Sequence, residues 1–250
     1  VKNRIEITCK LTGTRGPGID AHIIPKSFYG FRKDNHKPST IYHLNDKGIR
    51  DYTSRVGVFD RSIVTQEGEA YFSEPDHYAF ELLVKKRQEA KLYHDGETPL
   101  CLEIPSFDYP KLKLFFLSLL WRADATSAQM FKRVKLGTHE QLIRRMILRG
   151  DPGSPEEYTV VLSMYSDRES AGVPITDPIA LNDQETGAMY YDFSLGQFVA
   201  LIKVDQRPFG PSLTDFTLKP NRPLRIIMRE PLRNSPLYKR LANEVREIEG

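Results

Sequence analysis

Apolar and polar positions change their period along the chain, and the change divides it. Residues 5–11 alternate as a short strand, and residues 57–64 do so again. Between them, residues 28–55 are polar and mixed and read as a long functional loop or insertion. From residue 71 to 91 the spacing turns helical: Ser73 can cap, Pro75 sits early, and Tyr78, Leu82, Leu83 and Lys86 follow. Residues 94–108 carry Pro, Gly and acids and read as a linker. Residues 110–123 are apolar around most of a helical circumference, which predicts a buried central helix. A helix capped by Thr126 is predicted over 126–131. Another is predicted over 139–149, with Leu142, Ile143, Met146 and Ile147 inward and Arg144, Arg145 and Arg149 outward.

After Gly150 the period becomes two. Residues 158–165, 189–193 and 197–204 are predicted strands, the last two forming a hairpin through Ser194-Leu195-Gly196. A strand over 224–229 and a helix over 235–248 close the pattern. Helices and strands thus occupy separate stretches, which indicates an α+β protein. The division falls into residues 1–104 and a helical plus antiparallel-sheet region over 105–250.

With 250 residues, 40% of them hydrophobic, the chain can bury a core without covalent staples. Two cysteines, Cys9 and Cys101, make no disulfide framework and point to the reducing cytoplasm. The opening residues do not read as a signal peptide, and the longest apolar run, 112–120, is too short to span a bilayer, so no membrane association is expected. Net charge is +3, but it is unevenly spread. Residues 1–60 carry +5 and residues 105–150 carry +6, while 61–104 and 151–250 carry −4 each. If the two basic blocks share a face, they attract a polyanion; otherwise they are solvated surface.

The most informative stretch runs from Cys9 to Tyr29. Gly13, Gly16 and Gly18 mark a tight turn after Cys9, and Ala21-His22-Ile23-Ile24-Pro25-Lys26-Ser27-Phe28 follows. A second segment, Val58-Phe59-Asp60, leads to Thr65-Gln66-Glu67-Gly68-Glu69. Together they resemble the HNH, or ββα-metal, endonucleases, in particular a bacterial subgroup with a CxxC hairpin, an Ala-His-Ile-Ile-Pro-Lys-Ser-Phe signature and a second CxxC-Glu. Phe116-Leu117-Ser118-Leu119-Leu120-Trp121-Arg122 is similar to a stretch of the same subgroup, extending the likeness to about residue 150. The resemblance implies an HNH-like ββα module with a long loop over residues 1–104. It assigns the zinc positions to Cys9, Thr12, Thr65 and Gly68. Three of these lack a thiol, so no structural zinc is expected, since such sites use four Cys or His ligands. Packing by Leu11, Ile63 and Val64, with Thr12 and Thr65 bonded across strands, is the expected replacement.

The resemblance further implies a metal-dependent nucleic-acid endonuclease, with a place in bacterial defence against phage. His22 is its general base, Asp60 holds the His22 tautomer, and Glu69 ligates Mg²⁺ or Mn²⁺. Lys26 and Arg32 are candidate phosphate contacts, and the aromatics of residues 28–31 can stack on bases or pack in the core. DNA is favoured over RNA as partner, and a protein partner is also open. One departure counts against cleavage: the position before the base, often a second metal ligand, is Ala21. The rival expectation is therefore a module that keeps the fold without the chemistry and serves as a nucleic-acid- or protein-binding subunit. For each residue a plain reading stands beside the chemical one: His22 as a structural histidine, Asp60 as a turn cap, Glu69 as a solvated helix-entry residue. His36 and His43 lack acidic or thiol partners at ligand spacing and read as surface residues.

Overall fold

The computed structural model describes residues 5–29, 39–45, 48–54, 57–166 and 175–230. Arg32, His36 and the helix expected over 235–248 lie outside these residues. The chain contains both helices and strands, as an α+β protein does.

The amino-terminal part is a set of short ladders. β1 (Glu6–Thr8) pairs antiparallel with β2 (Arg15–Pro17), and the turn between them is closed by Gly13 N–H donating to the Cys9 carbonyl at 2.8 Å. Gly13 has φ +82, a conformation costly to a side chain with a Cβ. β3 is only Ala21–His22, followed by a single 3₁₀ turn over Lys26–Tyr29. The long loop expected over 28–55 contains a hairpin, β4 (Ser39–Asn45) with β5 (Gly48–Ser54). β6 (Phe59–Asp60) then returns to pair with β3.

α1 spans Gln66–Phe80, five residues earlier than its apolar spacing suggested. The spacing misled because the first turn faces the small, close-packed Gly68 rather than a large apolar side chain. Pro75 lies within it, and beyond Phe80 the backbone continues as one wide turn, Glu81–Lys85, and one tight turn, Lys86–Glu89. The expected linker over 94–108 is instead a hairpin, β7 (Lys91–Asp95) with β8 (Thr98–Ile104), turning at Gly96 with φ +57.

α2 (Tyr109–Ala125) is the central helix. Asp108 caps it by accepting the Lys111 N–H at 3.1 Å, and Pro110 suits its first turn. Its apolar circumference is fully used: Leu112, Phe115, Phe116, Leu119, Leu120 and Trp121 are wholly buried. Phe28 stacks on Phe115 with ring centroids 5.4 Å apart, and Phe72 of α1 meets Trp121 at 5.9 Å. The helix expected over 126–131 reduces to a 3₁₀ turn at Gln129–Phe131, because the Thr126 hydroxyl bridges the Ala128 N–H and an aspartate elsewhere. α3 (His139–Arg149) ends as expected at Gly150, whose φ of 63 allows the Asp151 N–H to reach the Met146 carbonyl. Ile143 and Ile147 face inward, whereas Leu142 is exposed.

The second half contributes β9 (Val160–Tyr165), β10 (Ile179–Asn182), β11 (Met189–Leu195), β12 (Phe198–Lys203), a single turn α4 (Pro211–Thr214) and β13 (Leu224–Arg229). They form one seven-stranded sheet in the order β10-β11-β12-β9-β13-β8-β7. The expectation of a wholly antiparallel sheet needs correction: β13 runs parallel to β9. Along β9 and β12 both faces are covered. Val160, Leu162, Ala200 and Ile202 join the main core with α2, while Val161, Tyr165, Val199 and Leu201 form a second cluster with Phe209. The main core runs without a break from Cys9 to Ile226, and β8 pairs with β13, so core and sheet cross the expected boundary at residue 104.

Candidate functional site

The β3/β6 ladder sets the first side chains. His22 pairs with Phe59, and Ala21 with Asp60. Neighbouring residues of a strand point to opposite faces, so His22 and Phe59 share one face and Ala21 and Asp60 the other. The His22 and Phe59 rings lie 6.0 Å apart. Buried Ile23 and Ile24 fix the strand from below, and Ile23 N–H donates to the Val58 carbonyl at 3.1 Å. Val58 N–H in turn donates to the Tyr29 hydroxyl. At Gly57 a Cβ would meet the Tyr29 ring at 2.6 Å, so the return to β6 needs glycine there.

α1 begins directly after this ladder and brings two carboxylates. Glu69 lies in its first turn, and Asp76 seven residues on, so both occupy one face. Between them Phe72 is buried, and the Arg122 guanidinium covers its ring at 4.8 Å. Arg122, wholly buried on α2, joins the parts. It donates to both oxygens of Asp76 at 2.9 and 2.8 Å, to the His22 carbonyl at 3.0 Å, and to the Ser118 hydroxyl and carbonyl at 2.9 and 3.3 Å. One guanidinium thus ties β3 to the helix bearing the two carboxylates.

The electrostatics follow from burial. Burial pushes the Glu69 carboxyl up to about 7; Arg122's positive charge opposes this and Asp76's negative charge adds to it. Glu69 Oε2 is buried with no hydrogen-bond partner among the described residues. Asp76 is also pushed up by burial, against the charge and bonds of Arg122 and the charge of His22. The charge of His22 thus acts on Asp76, and the Asp76–Arg122 pair acts on Glu69.

Asp60 is elsewhere in role. Its Oδ1 accepts from Ser62 N–H and hydroxyl at 2.8 and 2.7 Å, and its Oδ2 from the Thr126 hydroxyl at 2.6 Å and Ser127 N–H at 3.0 Å. Burial works to raise its carboxyl, but these bonds outweigh it and hold Asp60 well below the usual carboxylate range. It latches β6 to the carboxy-terminal end of α2, on the ladder face opposite His22, rather than holding the His22 tautomer. Lys26 lies exposed at the start of the 3₁₀ turn after β3.

The positions that the resemblance assigns to zinc meet at one point. Cys9 Sγ accepts the Thr12 N–H at 3.5 Å and a backbone bond from Thr65, and a Cβ on Gly68 would sit 2.6 Å from it. Burial tends to raise the Cys9 thiol, and the bonds from Thr12, Thr65 and Leu11 bring it below its ordinary value. One thiol, two hydroxyls and a glycine do not make a four-ligand zinc shell. Leu11, Ile63 and Val64 are wholly buried around this point. The expected Thr12–Thr65 bond does not form: Thr12 pairs with the Thr14 hydroxyl at 2.7 Å, and Thr65 Oγ1 is buried without a partner among the described residues. The reason is direction, since Thr12 turns into its own loop.

For a hard cation, the orphaned Glu69 oxygen is the fitting donor, because Mg²⁺ keeps several waters and takes one or two carboxylates together with substrate phosphate. Among the described residues, no group of three or more His, Cys, Asp or Glu is arranged to hold a metal by itself.

Sequence reasoning missed Asp76 and Arg122. A signal existed: Ser118, Arg122 and Thr126 recur every four residues on an otherwise apolar helix, and buried polar groups need partners. The pattern marks the stripe but does not say which acid meets it. Among the described residues, no helix is long and apolar enough to cross a membrane. Compared with protein-family models, curated proteins and solved structures, the chain matches none.

Proposed function

We propose that this chain is a metal-dependent endonuclease of the HNH type, hydrolysing phosphodiester bonds of nucleic acid. The observation that carries the reading is the meeting of His22, Glu69 and Asp76 around the buried guanidinium of Arg122. His22 takes a proton from the attacking water as that oxygen bonds to phosphorus, and the ester bond to the leaving oxygen breaks. Asp76 and His22 interact electrostatically, opposite charges attracting in a poorly solvated site. Arg122 fixes the end of β3 through the His22 carbonyl, so the base keeps its place during turnover. Glu69 would hold Mg²⁺ or Mn²⁺ through Oε2, and a bound ion supplies charge stabilisation at the phosphate and leaving oxygen.

A second reading, a binding subunit without cleavage, is favoured by Ala21 at the ligand position and by the commitment of Asp60 to its latch. Plasmid DNA and structured RNA incubated with Mg²⁺ or Mn²⁺ separate the two. Cutting by the wild type that is lost in His22→Ala and Glu69→Gln supports the nuclease. Retained, salt-sensitive binding with no cutting by the wild type supports the binding subunit. Neither binding nor cutting points to a protein partner.

A further inference from the structure

The two basic blocks of the sequence meet in space. The Lys10 ammonium donates to the Ala125 carbonyl at the end of α2 at 2.5 Å, and the Arg144 Nε of α3 donates to the Leu11 carbonyl at 2.6 Å. Arg144 Nη2 also lies 3.9 Å from where a Cβ on Gly13 would sit. The turn between β1 and β2 is thus wedged against α3 and the end of α2. Arg15 on β2 and Arg145, which follows Arg144 on α3, are exposed. The nearest carboxylate bonded to the turn, Glu67, accepts from Thr14 rather than from a cation. Lys10 and Arg144 spend their hydrogen bonds on carbonyls, and among the described residues neither they, Arg15 nor Arg145 pairs with an acid. Among the described residues their charges thus lack a carboxylate partner.

This junction continues into the candidate site. Ala125, which receives Lys10, precedes Thr126 and Ser127, which hold Asp60 on β6, and Arg122 one turn earlier holds His22. We propose that the β1–β2 turn and α3 together form a backbone-binding surface for duplex DNA, beside the end of α2 that holds β6, with Lys10, Arg15, Arg144 and Arg145 as its phosphate contacts. The proposal rests on the reading of the chain as a nuclease, and names how its substrate is held. Ammonium and guanidinium groups without carboxylate partners, spread over two elements, suit repeated phosphates rather than one small anion. The contacts carry no base reading, so binding is independent of sequence.

The side chains of Arg15 and Arg145 make no hydrogen bond among the described residues, and Gln keeps the backbone of β2 and α3 as it is, so Arg15→Gln with Arg145→Gln leaves the fold in place. Binding of a fluorescently labelled DNA duplex is measured against salt for the wild type, this double variant, and a control, Lys219→Gln with Arg222→Gln on the turn before β13. The slope of log affinity on log salt is expected to fall by about 1 for each lost phosphate contact, about 2 for the pair, and to hold in the control. Cleavage is assayed separately in wild type and His22→Ala. An unchanged slope in the double variant overturns the surface, and His22-dependent cutting then leaves the nuclease reading intact. A reduced slope without cutting by the wild type keeps the surface and removes the nuclease. Absence of duplex binding by the wild type overturns the surface.

Discussion

Arg122 offers the sharpest test of how the site is built, because one side chain holds three elements. In Arg122→Met the hydrophobic stem is retained and the charge is lost. Asp76 then stays buried without its two guanidinium bonds, and the His22 carbonyl and Ser118 hydroxyl each lose a donor. Breaking a buried pair from one side costs about 3–5 kcal/mol, most of it from the stranded charge. The double variant Arg122→Met with Asp76→Leu removes that charge, so its cost falls well below the sum of the single changes, with a coupling of about 2–3 kcal/mol. Urea unfolding at neutral pH, read by midpoint at constant slope, measures both quantities. A loss under about 1 kcal/mol for Arg122→Met, or additivity in the cycle, would refute the claim that the pair organises the site. The same variant predicts a chemical effect: without Arg122's positive charge, Glu69 titrates at higher pH than in the wild type.

Three further outcomes follow from the same contacts. Because Glu69 is protonated up to about 7 in the folded chain and ordinarily titrates near 4.5, the folded state binds the extra proton in between; stability falls as pH rises through that window, by on the order of 3 kcal/mol, and Glu69→Gln flattens the profile in denaturant titrations from pH 4 to 8. Asp60→Ala strands the Thr126 hydroxyl and the Ser127 N–H and is expected to cost about 2 kcal/mol at pH 7; the carboxyl is held low in the fold, so its contribution is full above 3.8 and fades as pH falls below that, and a cost that persists unchanged at pH 2 would contradict the latch. Gly68→Ala, ordinarily a gain of about 1 kcal/mol within a helix, is expected here to cost about 1–3 kcal/mol because its methyl meets the Cys9 sulfur and Val64, and a Cys9→Ala background should relieve most of the loss; thermal unfolding gives the sign.

Local pattern determined much of this protein. The central helix is written in its apolar circumference with Asp108 and Pro110 at its start, and α3 in its spacing and Gly150. β9, β12 and β13 follow from period-two runs, and the short strand carrying His22 from its place between glycine turns and Ile23-Ile24-Pro25. These depend on interactions within a few residues, which a sequence displays. What the tertiary structure decided is pairing. Asp60 stands next to His22's neighbour in the ladder, yet the ladder turns it away and the end of α2 claims it. The 94–108 stretch looks like a linker until β13, more than a hundred residues later, supplies β8 with a partner. Arg122 is a charge near the end of an apolar helix; burial forces it to find acceptors, and the fold brings Asp76 and the His22 carbonyl to it. A sequence states which groups need partners; only the folded chain, by closing those distances, states which partners they receive.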